Sequence, residues 1–284
     1  MVPSALVLGA SRGIGRQIAL TLAGAGYRVG VAAKTVHDTP KLPGTIYTVS
    51  DEITSRGGHA LPIPCNVRNP EEIDNAVSTC IQEFGGLDFA VYNAGAILWE
   101  KVIDTPLKRF DLMMDVNVRG AYVMIQAALP HMLERKSGRI LLEAPPIYSR
   151  FFNGKAPYAV TKVGMTVLVQ GLARELENTG VSITALWPAT TIESHVTTVK
   201  GVPPTFFRKA DIVADACLAI AQEPTERLNG QALIDEDYLR SLGVTDFSKY
   251  QCLPGTEPPR IMPRRFPSLR VEEEDQVTIP DSKL

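Results

Sequence analysis

The sequence predicts an α/β fold, a doubly wound sheet of seven mostly parallel strands. Two features carry that prediction. Short runs rich in valine, leucine and isoleucine alternate with longer amphipathic stretches, the pattern of βαβ units whose strands are covered on both faces. The first of these runs passes directly into a glycine-rich turn, GASRGIG, that opens an apolar-periodic helix. A chain of 284 residues, 45% hydrophobic and 21% charged, has the composition of one such domain with an appendage.

Taken in order, the first strand is ALVLG, residues 5–9, and its turn follows at once. Glycines at 9, 13 and 15 allow a tight turn and a close backbone approach to a pyrophosphate, and the following helix offers free N–H groups to an anion. Between a first strand and a first helix this reads as the phosphate cradle of a Rossmann-type dinucleotide site, made of Gly9, Ala10, Ser11, Arg12, Gly13, Ile14 and Gly15. The second strand, RVGVAA (28–33), leads into Lys34, where an NAD site usually carries an acid for the ribose hydroxyls. Two cations, Lys34 and Arg12, favour a 2′-phosphate, so NADP(H) is the expected cofactor.

The third and fourth strands are ALPIPC (60–65) and FAVYN (89–93). Residues 106–134 predict one long helix, with Leu107, Phe110, Met114, Asn117, Ala121, Met124 and Ala128 recurring at helical spacing. A fifth strand, RILL (139–142), precedes a second long helix over 158–177, and SITALW (182–187) and QALID (231–235) complete the seven. From Cys252 the pattern gives way to proline and then to acidic residues without a sustained period, predicting a domain over 1–250 and an extended or disordered tail over 251–284.

Tyr158 and Lys162 are four residues apart and so share a helix face. A phenol with its ordinary pKa of about 10 is a poor proton donor or acceptor near neutrality. A nearby ammonium, such as that of Lys162, and the charge of oxidised nicotinamide would both pull that value down.

The ordered set GASRGIG, YNAG (92–95), NVRG (117–120) and YAVTK (158–162) resembles the short-chain dehydrogenase/reductase family over about residues 4–235. The resemblance implies that Tyr158 is the acid/base for the substrate oxygen and that Lys162 holds the nicotinamide ribose. It implies that Asn117 anchors a proton-relaying water, that Asn93 ends the fourth strand against the cofactor, and that Asn66 replaces an aspartate near the adenine. It also exposes one departure. Where the family keeps a serine that donates a hydrogen bond to the substrate carbonyl, this chain has Pro145, with neither side-chain donor nor N–H. Tyr148 or Ser149 could supply a substitute hydroxyl. The threonine that the family keeps after the sixth strand falls on Glu193 or Ser194, and Trp99, Phe151, Phe206 and Phe207 could line an apolar pocket. A cofactor-binding protein without redox chemistry is the alternative that Pro145 raises.

A net charge of −2 and a pI near 6.1 offer no basic field for nucleic acid, and no apolar run is long enough to span a bilayer. Four scattered cysteines and four histidines form neither a disulfide framework nor a zinc pattern. The N-terminus does not read as a secretory signal, and the chain ends in Ser282, Lys283 and Leu284, the tripeptide read by the peroxisomal import receptor. The expected location is therefore the peroxisome and the expected substrate a small lipophilic carbonyl or alcohol. The family resemblance implies a homodimer or homotetramer.

Overall fold

The computed structural model describes residues 2–39, 43–194 and 201–269. Among the described residues nine strands follow in chain order: β1 (Ser4–Leu8), β2 (Arg28–Ala33), β3 (His59–Pro64), β4 (Phe89–Tyr92), β5 (Gly138–Glu143), β6 (Val181–Trp187), β7 (Thr191–Ile192), β8 (Phe207–Arg208) and β9 (Ala232–Ile234). Seven of them form the main sheet in the order β3-β2-β1-β4-β5-β6-β9, with every pairing parallel. Each expected strand is present within two residues of its expected ends. The pair β7 and β8, too short to leave a periodic trace, was not anticipated.

The helices are α1 (Gly13–Gly24), α2 (Ile46–Ser55), α3 (Pro70–Phe84), α4 (Leu107–Met113), α5 (Gly120–Arg135), α6 (Ala156–Glu175), α7 (Asp211–Gln222) and α8 (Asp235–Ser241). On one face of the sheet, Ile18 and Leu22 of α1 and Val213 and Ile220 of α7 pack on Val7, Val29 and Val31. On the other, Val77, Met124, Ala128, Met165 and Val169 from α3, α5 and α6 pack on Leu6 and Leu8. Burial on both faces explains why the strands read as apolar runs and not as alternating ones, each large aliphatic contributing about 1.5–3 kcal/mol.

Strand order reverses at β1, which pairs with β2 on one side and β4 on the other. In open α/β sheets the crevice beyond the strand ends at such a point is where ligands bind.

Two expectations need correction. The helix expected over 106–134 is interrupted by a π-helical segment, Met114–Arg119, between α4 and α5. A π turn holds an extra residue, so one phase cannot run through it. Leu107 is consequently exposed at 72%, and Met113 lies in the core instead of Met114. The second correction concerns the tail, because residues 257–262 are bonded to the domain. Met262 is buried beside Ala189 and Ile234, and the guanidinium of Arg260 forms a two-pronged ion pair with Asp237. Ser282, Lys283 and Leu284 lie outside the described residues.

Candidate active site

The phosphate turn is built by backbone geometry that favours glycine. Gly9 has φ +91°, and a Cβ there would come within 2.7 Å of the Ala94 nitrogen; Gly13 has φ +56° with nothing within 4 Å of an added Cβ. Open space thus faces the start of α1, whose N-cap residue, Arg12, makes no side-chain cap. The first-turn N–H groups remain available to an anion, and the residues fit a pyrophosphate. Asn93, at the end of β4, donates through Nδ2 to the Gly9 carbonyl at 2.9 Å and ties the turn to the neighbouring strand.

A cleft of about 420 Å³ lies over these strand ends, lined by Gly9, Ser11, Arg12, Lys34, Asn66, Arg68, Asn93 and Gly95 among others. Another hollow of about 400 Å³ lies at the outer edge by β9 and contains none of the candidate residues. Three cations and no carboxylate line the switch-point cleft. Arg12 also donates to the carbonyls of Pro43 and Gly44, at 3.1 and 2.8 Å, and burial lowers its pKa while Asp38 opposes the shift. Asp38, which sequence reading did not weigh, accepts the Gly44 N–H at 2.6 Å. Asn66 follows β3; its backbone N–H donates to Glu72 and its side-chain oxygen accepts from the Arg68 N–H.

At the end of β5 and along α6 the structure brings together the other candidates. Tyr158 is 3% exposed and Lys162 is 4% exposed, on one face of α6. The Lys162 ammonium donates to the Glu143 carbonyl at 2.7 Å and sits 5.4 Å above the Trp187 ring. Asn117 is fully buried in the π segment: its Oδ1 accepts from Ala96 N–H at 2.8 Å, and its Nδ2 donates to the Ala96 carbonyl and to Thr161 Oγ1. Both amide hydrogens are spent on joining the post-β4 loop to α6, so the side chain acts first as a positioning group.

The electrostatics differ from the sequence expectation. The Tyr158 phenol is pushed above its ordinary value, by burial first and by Glu143 second, while the Lys162 ammonium is directed to the Glu143 carbonyl. Burial likewise depresses the lysine, with Glu143 opposing. Glu143 itself is the largest surprise: a carboxyl 5% exposed whose Oε1 has no partner, pushed up to about 8 by burial against the pull of Lys162. Asp235 lies close by, donors from Ala189 and Glu236 meeting its Oδ1 while Oδ2 has none.

A pH prediction follows from Glu143. Its folded-state value lies above its ordinary one, so the folded chain keeps a proton the unfolded chain has released, and stability falls as pH rises from about 4.5 to about 8. Glu143→Gln, a mimic of the neutral acid, should flatten that fall in Tm, and Asp235, pushed up to about 7, should leave a residual slope of the same sign. An unchanged Tm profile would show that the acid is ionised in the fold.

Sequence reasoning missed Glu143, Asp235 and Thr190, the last with a buried hydroxyl that has no partner. A glutamate ending the apolar strand RILLE was the one available signal. Of the four aromatics expected to line a pocket, Phe151 packs beside Tyr158 with ring centroids 6.3 Å apart, whereas Trp99 and Phe206 are 36% and 45% exposed and Phe207 is buried in β8. Glu193 donates its N–H to the Arg208 carbonyl at 2.9 Å within the β7–β8 pair. Pro145 is buried, and its carbonyl accepts from Thr166 Oγ1 at 2.6 Å. Among the described residues neither expected substitute hydroxyl bonds to Tyr158: Tyr148 donates to the Met262 sulfur at 3.2 Å, and Ser149 is exposed.

Known proteins are similar to this chain. Hydroxysteroid dehydrogenase-like protein 2 of Danio rerio is 41% identical over 253 residues, covering 88% of this chain and 60% of that protein. The chain therefore spans about 60% of the length of the curated relatives it matches first. A solved short chain dehydrogenase of Mycobacterium thermoresistibile is 39% identical with a TM-score of 0.85, over 91% of this chain and 93% of that one. A metagenomic short-chain oxidoreductase in complex with NADP is 25% identical with a TM-score of 0.65, over 82% and 96% of the two chains. The short chain dehydrogenase family model matches residues 3–200, beginning before the phosphate turn and ending beyond the Tyr158 helix, and the chain belongs to the short-chain dehydrogenase/reductase family.

Proposed function

We propose that the chain is an NADP(H)-dependent oxidoreductase that interconverts a carbonyl and a secondary alcohol on a lipophilic substrate. The observation that carries this reading is that Tyr158 and Lys162 share one face of α6, with the Lys162 ammonium 2.7 Å from the Glu143 carbonyl and 3.9 Å from where a Cβ of Gly95, a residue lining the cleft, would stand. The bound nicotinamide would accept or deliver the hydride. Tyr158 would give the substrate oxygen its proton or take it back, Lys162 would orient the ribose, and Asn117 would hold Ala96 beside them. Phe151, Leu98, Phe110 and Met113 around Tyr158 supply an apolar surface for a lipophilic substrate.

The phosphate on the adenosine ribose is supported by the cationic lining of the cleft and by the NADP complex of one relative. Lys34→Ala should weaken NADPH binding by roughly 10–100-fold and leave NADH binding nearly unchanged, measured by nicotinamide fluorescence. Equal losses for both cofactors would overturn the NADP assignment.

Pro145 favours a second reading, a cofactor-binding protein with no redox activity, because its ring carries no hydrogen-bond donor where the family keeps a hydroxyl. Retention of both Tyr158 and Lys162 supports the enzymatic reading over it. The terminal Ser282, Lys283 and Leu284 support import into the peroxisome through its receptor, to be tested by imaging the chain with and without Leu284. Exposed Tyr122, Val160 and Val167 on α5 and α6 support pairing into a homodimer or homotetramer, which sedimentation would measure. Among the described residues no helix is long and apolar enough to cross a membrane.

A further inference from the structure

The residues after the last helix do more than trail from the domain. Glu257 accepts from the buried Arg208 guanidinium at 2.6 Å, and Arg260 is held by Asp237 of α8. Ile261 and Met262 both donate their N–H groups to the Ala189 carbonyl, at 2.9 and 3.1 Å, which fixes the segment to the loop after β6. Arg150 donates to the Ile261 carbonyl at 3.0 Å, and Tyr148 donates to the Met262 sulfur, which fixes the same segment to the loop after β5. Residues 257–262 thus span the two loops that follow the central strands beside Tyr158 and Lys162.

The apolar contacts run the same way. Tyr148 and Trp187 belong to two clusters at once, one centred on Tyr158 and Phe151, the other on Met262 and Ala189. Phe266 meets the Tyr148 ring edge-on at 5.4 Å, Tyr148 lies 6.1 Å from Phe151, and Phe151 lies 6.3 Å from Tyr158. An unbroken file of rings therefore joins the segment to the proposed acid/base.

We propose that residues 257–266 form a strap that fixes the Pro145-bearing loop and builds the outer wall of the substrate site, with Met262 and Phe266 as specificity-determining residues. The wall rests on the oxidoreductase reading; the fixing of the loop does not. Proline at 145 removes a hydroxyl that could help order a bound carbonyl, and the strap supplies order to that loop from outside. Because its contacts among the described residues include the loops after β5 and β6 and not the phosphate turn, it governs substrate fit and not nucleotide affinity.

The test uses the full chain with Met262→Ala and Phe266→Ala, and Met262→Leu as the volume-conserving control. Hydrogen–deuterium exchange over residues 145–152 should rise about tenfold in the alanine variants, and the phosphate turn should keep its protection. NADPH affinity should stay within about twofold, and Met262→Leu should return exchange to the wild-type rate. With a homologous series of methyl ketones and NADPH, Phe266→Ala should shift the preferred chain length towards longer ketones, with KM changing by roughly tenfold and kcat less. Unchanged exchange over 145–152 in both alanine variants overturns the strap. Faster exchange together with a wild type inert to every ketone keeps the loop fixing and sinks the oxidoreductase reading. An unshifted preference in Phe266→Ala, with ketones turned over, overturns the wall.

Discussion

Tyr158→Phe should lower kcat by roughly 10²–10⁴-fold and leave NADPH affinity and Tm close to wild type. The substitution removes one oxygen from a ring that is 3% exposed and packed against Phe151, so the apolar contacts survive. Among the described residues no hydrogen bond to another group is lost with that oxygen, since the only bond at Tyr158 outside the helix ladder is from Thr161 to its backbone carbonyl. Stopped-flow or steady-state nicotinamide absorbance would give kcat, and fluorescence titration the Kd. A variant that turns over within about twofold of wild type would remove the phenol from the chemistry and leave the non-redox reading in possession of the site.

The absolute rate should be modest even before mutation. An absent oxyanion donor costs about 10²–10³ in rate, and Pro145 offers no N–H in exchange. Burial and Glu143 together keep the phenol protonated within the protein, the state in which it can donate to a carbonyl. Oxidation of an alcohol needs the opposite state and so depends on the positive charge of oxidised nicotinamide. Losses at 145 and at 158 act on the same substrate oxygen, so they should not add.

How far the fold was legible follows from which signals are local. Strands buried on both faces announce themselves as apolar runs, and all seven were readable for that reason. Position 117 was readable as a helical site facing inward, but the π segment around it was not, since an inserted residue leaves only a phase shift between α4 and α5. Tyr158 and Lys162 were legible because four residues make one helical turn. Their electrostatic setting was not, because Glu143 comes from β5 and Asp235 from α8, and only the fold brings them together. Residues 257–262 were misread for a similar reason. A proline-punctuated stretch carries no period, yet it is held here by side-chain bonds to Asp237, Arg208 and Tyr148 that no local pattern encodes.

Gly15→Ala should cost about 1–3 kcal/mol of stability and weaken NADPH binding by roughly 10–100-fold. Gly15 lies inside α1, in a conformation any residue could adopt, so the obstacle is space and not backbone freedom. A Cβ there would run into the Gly9 carbonyl oxygen and the Asn93 amide nitrogen, the two atoms whose 2.9 Å hydrogen bond closes the phosphate turn. The turn cannot yield on its other side, because Gly9 is itself backed by Ala94. Either Asn93 releases Gly9 or α1 moves off β1, and both outcomes displace the N–H groups that would hold the pyrophosphate. Gly24→Ala, in the last turn of the same helix with nothing within 4 Å of the added Cβ, is the matched control and should be neutral or stabilising by up to about 1 kcal/mol. NADPH affinity retained within about twofold in Gly15→Ala would mean that the dinucleotide does not lie on this turn.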